Sequence, residues 1–197
     1  EERFWRERLR HKPPRTALTP DRCGERRFET ILLDGGRPLA RGLHTMSARC
    51  GVSPFVLLLT LFARTAARFG SSSRLLLGCY FPGRDPQREG DALGMFTQVL
   101  PVIAEAETSG TLAGDARRIE AEVAAILRHQ HISLSRLYQQ LPLEEVSDGE
   151  LFDVCFNYQN DWPILPGRGE IVGRIETLNR DPDITNRDFY FGVIEEN

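Results

Sequence analysis

The side chains of this sequence that are able to do chemistry are few, and their spacing excludes more than it proposes. His129 and His131 flank Gln130. On a strand, residues two apart share a face, which would suit a pair of metal ligands. The pair falls where a helix ends, and there such side chains diverge. No cysteine or carboxylate cluster accompanies them, so no metal site is expected. Cys23, Cys50, Cys79 and Cys155 are widely spaced and form no C-x-x-C pair. Two of them lie in apolar runs, so they are expected to be buried free thiols of a reducing cytoplasm, not a disulfide frame. Gly167, Gly169 and Gly173 miss the dinucleotide-binding spacing by one residue and follow a turn instead of a strand, so they are loop glycines. The sequence holds no G-x-S-x-G, no G-x-x-x-x-G-K and no H-E-x-x-H.

Composition narrows the class. With 197 residues, 41 % apolar and 27 % charged, the chain reads as an ordinary globular protein. A net charge of −3 gives no electrostatic footprint for nucleic acid or an anionic membrane. Of the 25 basic residues only Lys12 is a lysine, a bias read as that of a GC-rich genome and not as an arginine-specific function. The first dozen residues mix arginines with Glu1, Glu2 and Glu7, as a solvated helix face does. No apolar run approaches the ~20 residues that span a bilayer, and no signal peptide is visible. The sequence starts at Glu1 without a methionine and is read as a piece of something longer.

The elements that would position any site follow from pattern. Glu1–Arg10 predicts a short helix with Phe4, Trp5 and Leu9 on one side, followed by a proline-rich connector. Arg27–Asp34 predicts a strand closed by Gly35-Gly36, and Pro38–Cys50 a helix with Leu39, Leu43 and Met46 on one stripe. Ser53 and Pro54 suit the N-cap and first position of a helix over Phe55–Phe69, apolar almost all round and therefore buried on most faces. Leu75–Phe81 is a continuous apolar strand, as in the middle of a covered sheet, and runs into a Pro-Gly-Arg-Asp turn at Pro82–Asp85. Phe96–Ala104 is extended, with Pro101 arguing for an edge or a bulge. Thr111 caps a long helix running to about His129, and Ser133 starts a shorter one. Leu151–Tyr158, Glu170–Asn179 and Asp188–Glu195 predict strands. Interleaved strands and helices make a single α/β sandwich the expected architecture.

Six motifs in order carry a family resemblance across about 160 residues. FWRERLRHKPPRTALTPDR (Phe4–Arg22) resembles the segment after the first lobe of the condensation domains of nonribosomal peptide synthetases. SPFVLLLTLFARTAARFG (Ser53–Gly70) is similar to their T-x-F-x-x-L-L-A-A-F helix, and LLLGCYFPGRD (Leu75–Asp85) to their strand into a G-R turn. LGMFTQVLPV (Leu93–Val102) resembles I-G-x-F-x-N-T-L-P-x, HQHISLSRL (His129–Leu137) resembles H-Q-D-x-P-F-E-x-L, and LFDVCFNYQN (Leu151–Asn160) resembles S-P-L-F-x-V-x-F-x-x-Q-N. Gln98 stands where the family has asparagine, His131 where it has aspartate, and Gly149-Glu150 where it has Ser-Pro. The family's H-H-x-x-x-D-G active-site motif, borne on its N-terminal lobe, is not in the sequence.

The resemblance implies a two-layer α/β sandwich of a mixed sheet with helices, a chloramphenicol-acetyltransferase-like lobe. Residues 1–22 would be an interlobe connector and short helix, and 23–197 most of the C-terminal lobe, truncated before its end. The whole enzyme would join two carrier-bound substrates. The acceptor amine attacks the donor thioester, both held on phosphopantetheine arms entering a tunnel from opposite faces, and the missing histidine would position or deprotonate the amine. The implied partners are the N-terminal lobe, peptidyl or acyl carrier proteins and an adjacent adenylation domain. No cofactor would be bound directly, and no catalytic residue is assigned in this chain, which is expected to be inactive alone. Tunnel-side candidates are Gly94, Phe96 and Gln98. Gly94 could equally serve a turn and Phe96 the core, whereas an amide such as Gln98 in an apolar strand needs a partner. Gln159 and Asn160 would bind substrate or cap a turn. Arg84, His129 and Gln130 are structural residues near the site. Epimerization, heterocyclization and stand-alone acyltransferase members share the scaffold, and a non-catalytic carrier-docking module is the alternative of another class. Phe189, Phe191 and Val193 would give the last strand an apolar face and an open edge, through which the chain self-associates.

Overall fold

The computed structural model describes residues 1–13, 16, 31–69, 72–84, 93–107, 110–140, 151–160 and 189–195. Its elements are α1 (Glu2–Arg10), α2 (Gly36–Cys50), α3 (Pro54–Phe69), β1 (Arg74–Phe81), β2 (Gln98–Glu105), α4 (Leu112–Leu127), α5 (Leu134–Gln140), β3 (Val154–Gln159) and β4 (Phe189–Ile194). The strands form one mixed sheet in the order β2-β1-β3-β4. β1 pairs antiparallel with β2, while β3 runs parallel to both β1 and β4.

Sequence explains this order. β1 lies between two partners, and Leu75, Leu76, Leu77 and Cys79 are buried, so no alternation is needed along it. β2 is an edge among the described strands, the place where Pro101 can sit without breaking a ladder. That edge is partly covered, because the Ile103 amide donates to Glu122 of α4 at 3.1 Å. Helix α3 packs on one face of the sheet. Phe55 meets Phe81 and Phe156 edge-on at 5.9 and 5.7 Å, and Phe62 stacks on Phe191 at 5.2 Å. On the other face Phe152 lies against Gly78, where a Cβ would collide with its ring.

The helix ends follow their capping residues. Val56 N–H donates to Ser53 Oγ at 3.2 Å, Gly114 N–H to Thr111 Oγ1 at 3.1 Å, and Arg136 N–H to Ser133 Oγ at 3.2 Å. Gly51 ends α2 in the left-handed conformation, φ 70°. At the start of α4 the fully buried Asp115 pairs with Arg64 of α3 and with Arg118. Arg64 also donates to the carbonyls of Glu107 and Gly110, both at 3.1 Å. Buried carboxylates persist only when paired in this way.

Two expectations change. Residues 31–34 of the expected strand Arg27–Asp34 have no regular structure, and Ile31, Leu32 and Leu33 are exposed; 27–30 lie outside the described residues. An apolar run makes a strand only where it finds a neighbouring ladder, and sequence pattern does not report that neighbour. The α2 stripe is also less buried than its spacing suggests, with Leu39 and Met46 exposed and only Leu43 against the core. The expected strand Glu170–Asn179, the glycines at 167, 169 and 173, and Cys23 lie outside the described residues. Among the described residues, Cys50, Cys79 and Cys155 are buried and form no disulfide. No single helix among the described residues is long and apolar enough to cross a membrane.

Candidate functional site

The register of the sheet collects the candidate residues at one end. β1 leaves the sheet at Phe81, and β2 enters opposite it at Gln98. Parallel pairing brings β3 and β4 to the same end, at Gln159 and Ile194. The turn after β1, the strap before β2 and the ends of β3 and β4 therefore lie side by side.

The turn and the strap make a cleft of about 590 Å³ lined by Pro82, Arg84, Gly94, Met95, Phe96 and Thr97. Gly83 lies between two of these lining residues, Pro82 and Arg84. With φ 63° it takes a conformation that side-chain-bearing residues rarely adopt, and a Cβ there would collide with the Phe96 carbonyl. This close backbone approach fixes the strap against the turn. The Arg84 guanidinium then lies over the Phe96 ring, 4.1 Å from its centre, in a cation–π contact. A Cβ on Gly94 would stand 3.3 Å from the same ring, so this glycine lets the strap fold over its own phenylalanine. Gln98 begins β2 next to Gly83, and its side-chain Oε1 is buried with no hydrogen-bond partner among the described residues.

Of the residues singled out from sequence, Arg84, Gly94, Phe96 and Gln98 come together. Gln159 and Asn160 reach the same end of the sheet but not the same cleft. Two strand spacings, roughly 10 Å, separate β2 from β3. Gln98 pairs with Phe81 and so shares the face that meets α3, whereas Gln159 follows Tyr158 onto the opposite face. His129 and Gln130 stand apart from both. His129 closes α4 against α1: its ring stacks on Phe4 at 4.1 Å, its carbonyl accepts from Trp5 Nε1 at 2.8 Å, and Nδ1 faces Glu1 at 3.5 Å. Gln130 Oε1 is buried with no hydrogen-bond partner among the described residues. Among the described residues no group of three or more His, Cys, Asp or Glu is placed to hold a metal ion.

A second polar cluster at this end takes one member, Tyr158, from the Leu151–Asn160 motif and the other two, His44 and Glu195, from outside every motif. Tyr158 Oη donates to Glu195 Oε2 at 2.5 Å, and His44 Nε2 meets Glu195 Oε1 at 2.5 Å. Burial and then the Glu195 bond push the Tyr158 hydroxyl well above its ordinary range. The bonds from Tyr158 and then His44 hold Glu195 below the usual carboxylate value. His44 and Glu195 are 151 positions apart, so no local pattern announces them. The sequence signal is that Tyr158 and Glu195 each close a segment predicted as a strand, Leu151–Tyr158 and Asp188–Glu195.

The signs of these shifts define a pH window. Stability from a lowered carboxylate is present above its unfolded value and lost as pH falls through the folded one. Stability from a raised phenol is present below its unfolded value and lost as pH rises through the folded one. The clasp therefore holds between about pH 4.3 and pH 10. Denaturant midpoints of wild type and Glu195→Gln, compared from pH 3 to 8, should converge as the acid end is approached. A difference independent of pH would show that the Glu195 charge plays no part in the clasp.

Comparison with known proteins places this architecture. Among the described residues the mixed four-stranded sheet with helices is an α/β architecture of the kind found in condensation-domain structures. The fold matches the first condensation domain of the CDA synthetase with a TM-score of 0.65 at 14 % identity, covering 80 % of this chain and 34 % of that one. The condensation-domain family profile matches residues 1–171, and the chain belongs to that family. A probable non-canonical nonribosomal peptide synthetase, CymA, from Salinispora arenicola is 26 % identical over 163 residues, which is 80 % of this chain and 2 % of the relative. The phosphinothricin tripeptide synthetase PhsC from Streptomyces viridochromogenes is 26 % identical over 161 residues, 78 % of this chain and 14 % of the relative. The chain thus spans a small fraction of the length of the curated relatives it matches.

Proposed function

We propose that this chain is the C-terminal lobe of a nonribosomal peptide synthetase condensation domain, with residues 23–197 forming the lobe and 1–22 leading into it. Its part is to wall one side of the channel in which an amine on one carrier attacks a thioester on another, and to present part of the carrier-docking surface. The phosphopantetheine arms belong to the carriers, and the proton-handling histidine to the N-terminal lobe. The observation that carries this reading is the cleft at the sheet end, where Gly83 pins the strap and Arg84 covers Phe96. A static wall accelerates amide formation by holding two reactants in register and excluding water. The chain's matches to peptide synthetases, together with its coverage of about a third of a solved condensation domain, support the assignment to one lobe.

The wall is tested by Phe96→Ala in a protein that joins this chain to a condensation N-terminal lobe. Phe96 is only half-buried, so the melting temperature should stay within a few degrees. Amide formation between two loaded carriers should fall roughly tenfold or more, as misplacement of about 1 Å is enough to do. Unchanged turnover would remove the cleft from the channel.

A further inference from the structure

One rung of the sheet has its outward-facing backbone groups occupied on both flanks by side chains. Leu76 of β1 lies opposite Ile103 of β2. In an antiparallel pair, rungs alternate between residues that bond each other and residues whose N–H and C=O groups face away. This rung is of the second kind. The Ile103 amide donates outward to Glu122 Oε1 at 3.1 Å, and Glu122 pairs in turn with Arg8 of α1. On the other flank the Leu76 amide donates to Thr16 Oγ1 at 3.0 Å, and Thr16 Oγ1 donates to the Leu76 carbonyl at 3.2 Å. The registered pairs of β3 with β1 are at Gly78 and Cys79, further along the strand. A single hydroxyl, donor and acceptor at once, therefore stands where a neighbouring strand would. Thr16 and Leu76 are both buried, so these backbone groups have no water to turn to instead.

Both flanks of the rung lead back to the same stretch of chain. Arg8 lies in α1, and Thr16 follows soon after it. Between them, Arg74 at the start of β1 donates to the His11 carbonyl at 3.3 Å. Helix α1 is itself fixed. Trp5 and Leu9 are buried, Trp5 Nε1 donates to the His129 carbonyl, and Glu2 pairs with Arg136 of α5 at 2.8 Å. A free connector would touch the sheet only through exposed, replaceable contacts. These contacts instead satisfy buried groups of β1 and β2, the strand pair whose other end carries the cleft. We propose that residues 1–16 are a strap built into the fold of this lobe, which clamps the β1–β2 pair at the Leu76–Ile103 rung, with Thr16 as its fastening residue. The reading above has residues 1–22 leading into the lobe. The inference deepens it, because it makes the first sixteen residues part of what holds the cleft strands and places any movable joint outside them.

Two experiments on the 197-residue chain test the strap. In the first, a protease recognition sequence is inserted between Arg22 and Cys23 and cut under native conditions. The two pieces should travel together through gel filtration and part only in denaturant. A peptide of residues 1–22 that elutes by itself in native buffer would overturn the proposal. In the second, amide hydrogen exchange is followed residue by residue in wild type, Thr16→Val and Thr16→Ser. Valine keeps the shape and removes both hydrogen bonds, so the Leu76 amide should exchange roughly tenfold faster or more. Serine keeps the hydroxyl and should leave that amide close to its wild-type rate. A Leu76 amide that exchanges alike in all three proteins would overturn the proposal as well. The Phe96→Ala turnover measurement decides the channel-wall reading separately. Turnover lost there, with the peptide released from the cut chain, would sink this inference and leave the lobe reading standing.

Discussion

Trp5→Ala should lower the stability of the chain by about 3–5 kcal/mol, the usual cost of truncating a fully buried aromatic side chain. Trp5 has no exposed surface, although it lies in the first turns of α1. Its ring packs edge-on against Phe4 at 5.2 Å, and its Nε1 donates at 2.8 Å to the carbonyl of His129, 124 positions away. Truncation leaves a cavity and an unpaired carbonyl at the end of α4, and it frees Phe4 from its place between Trp5 and His129. The neighbouring change Arg3→Ala, on the exposed side of α1, should stay within about 0.5 kcal/mol. Urea unfolding of the three proteins checks both numbers. A Trp5→Ala loss below about 1 kcal/mol would mean that α1 is a loosely attached lead-in, and that the packing of His129 against it contributes little.

How much of this is legible in the sequence depends on whether a feature is local. The caps at Ser53, Thr111 and Ser133 act on backbone groups three residues away, so residue type alone locates three helix starts. Burial of β1 is legible because a central strand needs an unbroken apolar run, and Pro101 marks β2 as an edge because it lacks an N–H. Ile31–Leu33 misleads for the complementary reason. Apolarity does not say whether a partner strand stands alongside, and here the run is exposed. Within the site, Arg84, Gly94, Phe96 and Gln98 sit close together because they flank two strands joined in an antiparallel pair. The separation of Gln159 from that group depends on sheet order and on which face each strand presents, and neither is written in a single segment. Gly83 reads in the sequence as an ordinary turn residue. Its use is to let the strap carbonyl of Phe96 approach, a contact that exists only once turn and strap are assembled. The clasp of His44, Tyr158 and Glu195 draws on a helix and two strands, beyond the reach of any motif.

On the proposed reading, this chain supplies a wall and not the chemistry. The whole sequence contains four histidines, none adjacent to another and none followed by aspartate at the family's interval. Without the family's histidine motif, to which the proton of the attacking amine is assigned on this reading, a rate contribution of the order of 10²–10⁴ should be lost. The second reactant-holding surface is missing as well, and with it most of the advantage of a bimolecular step made effectively unimolecular. These losses compound, so the chain alone should be silent and not merely slow. The direct measurement is the intact mass of an amine-loaded acceptor carrier incubated with an acyl-loaded donor carrier. With the 197-residue chain alone, the acceptor should keep its mass. With the chain joined to an N-terminal lobe bearing H-H-x-x-x-D-G, it should gain the mass of the donor acyl group. A mass gain produced by the isolated chain above the uncatalysed background would contradict the account and place an active site within these residues.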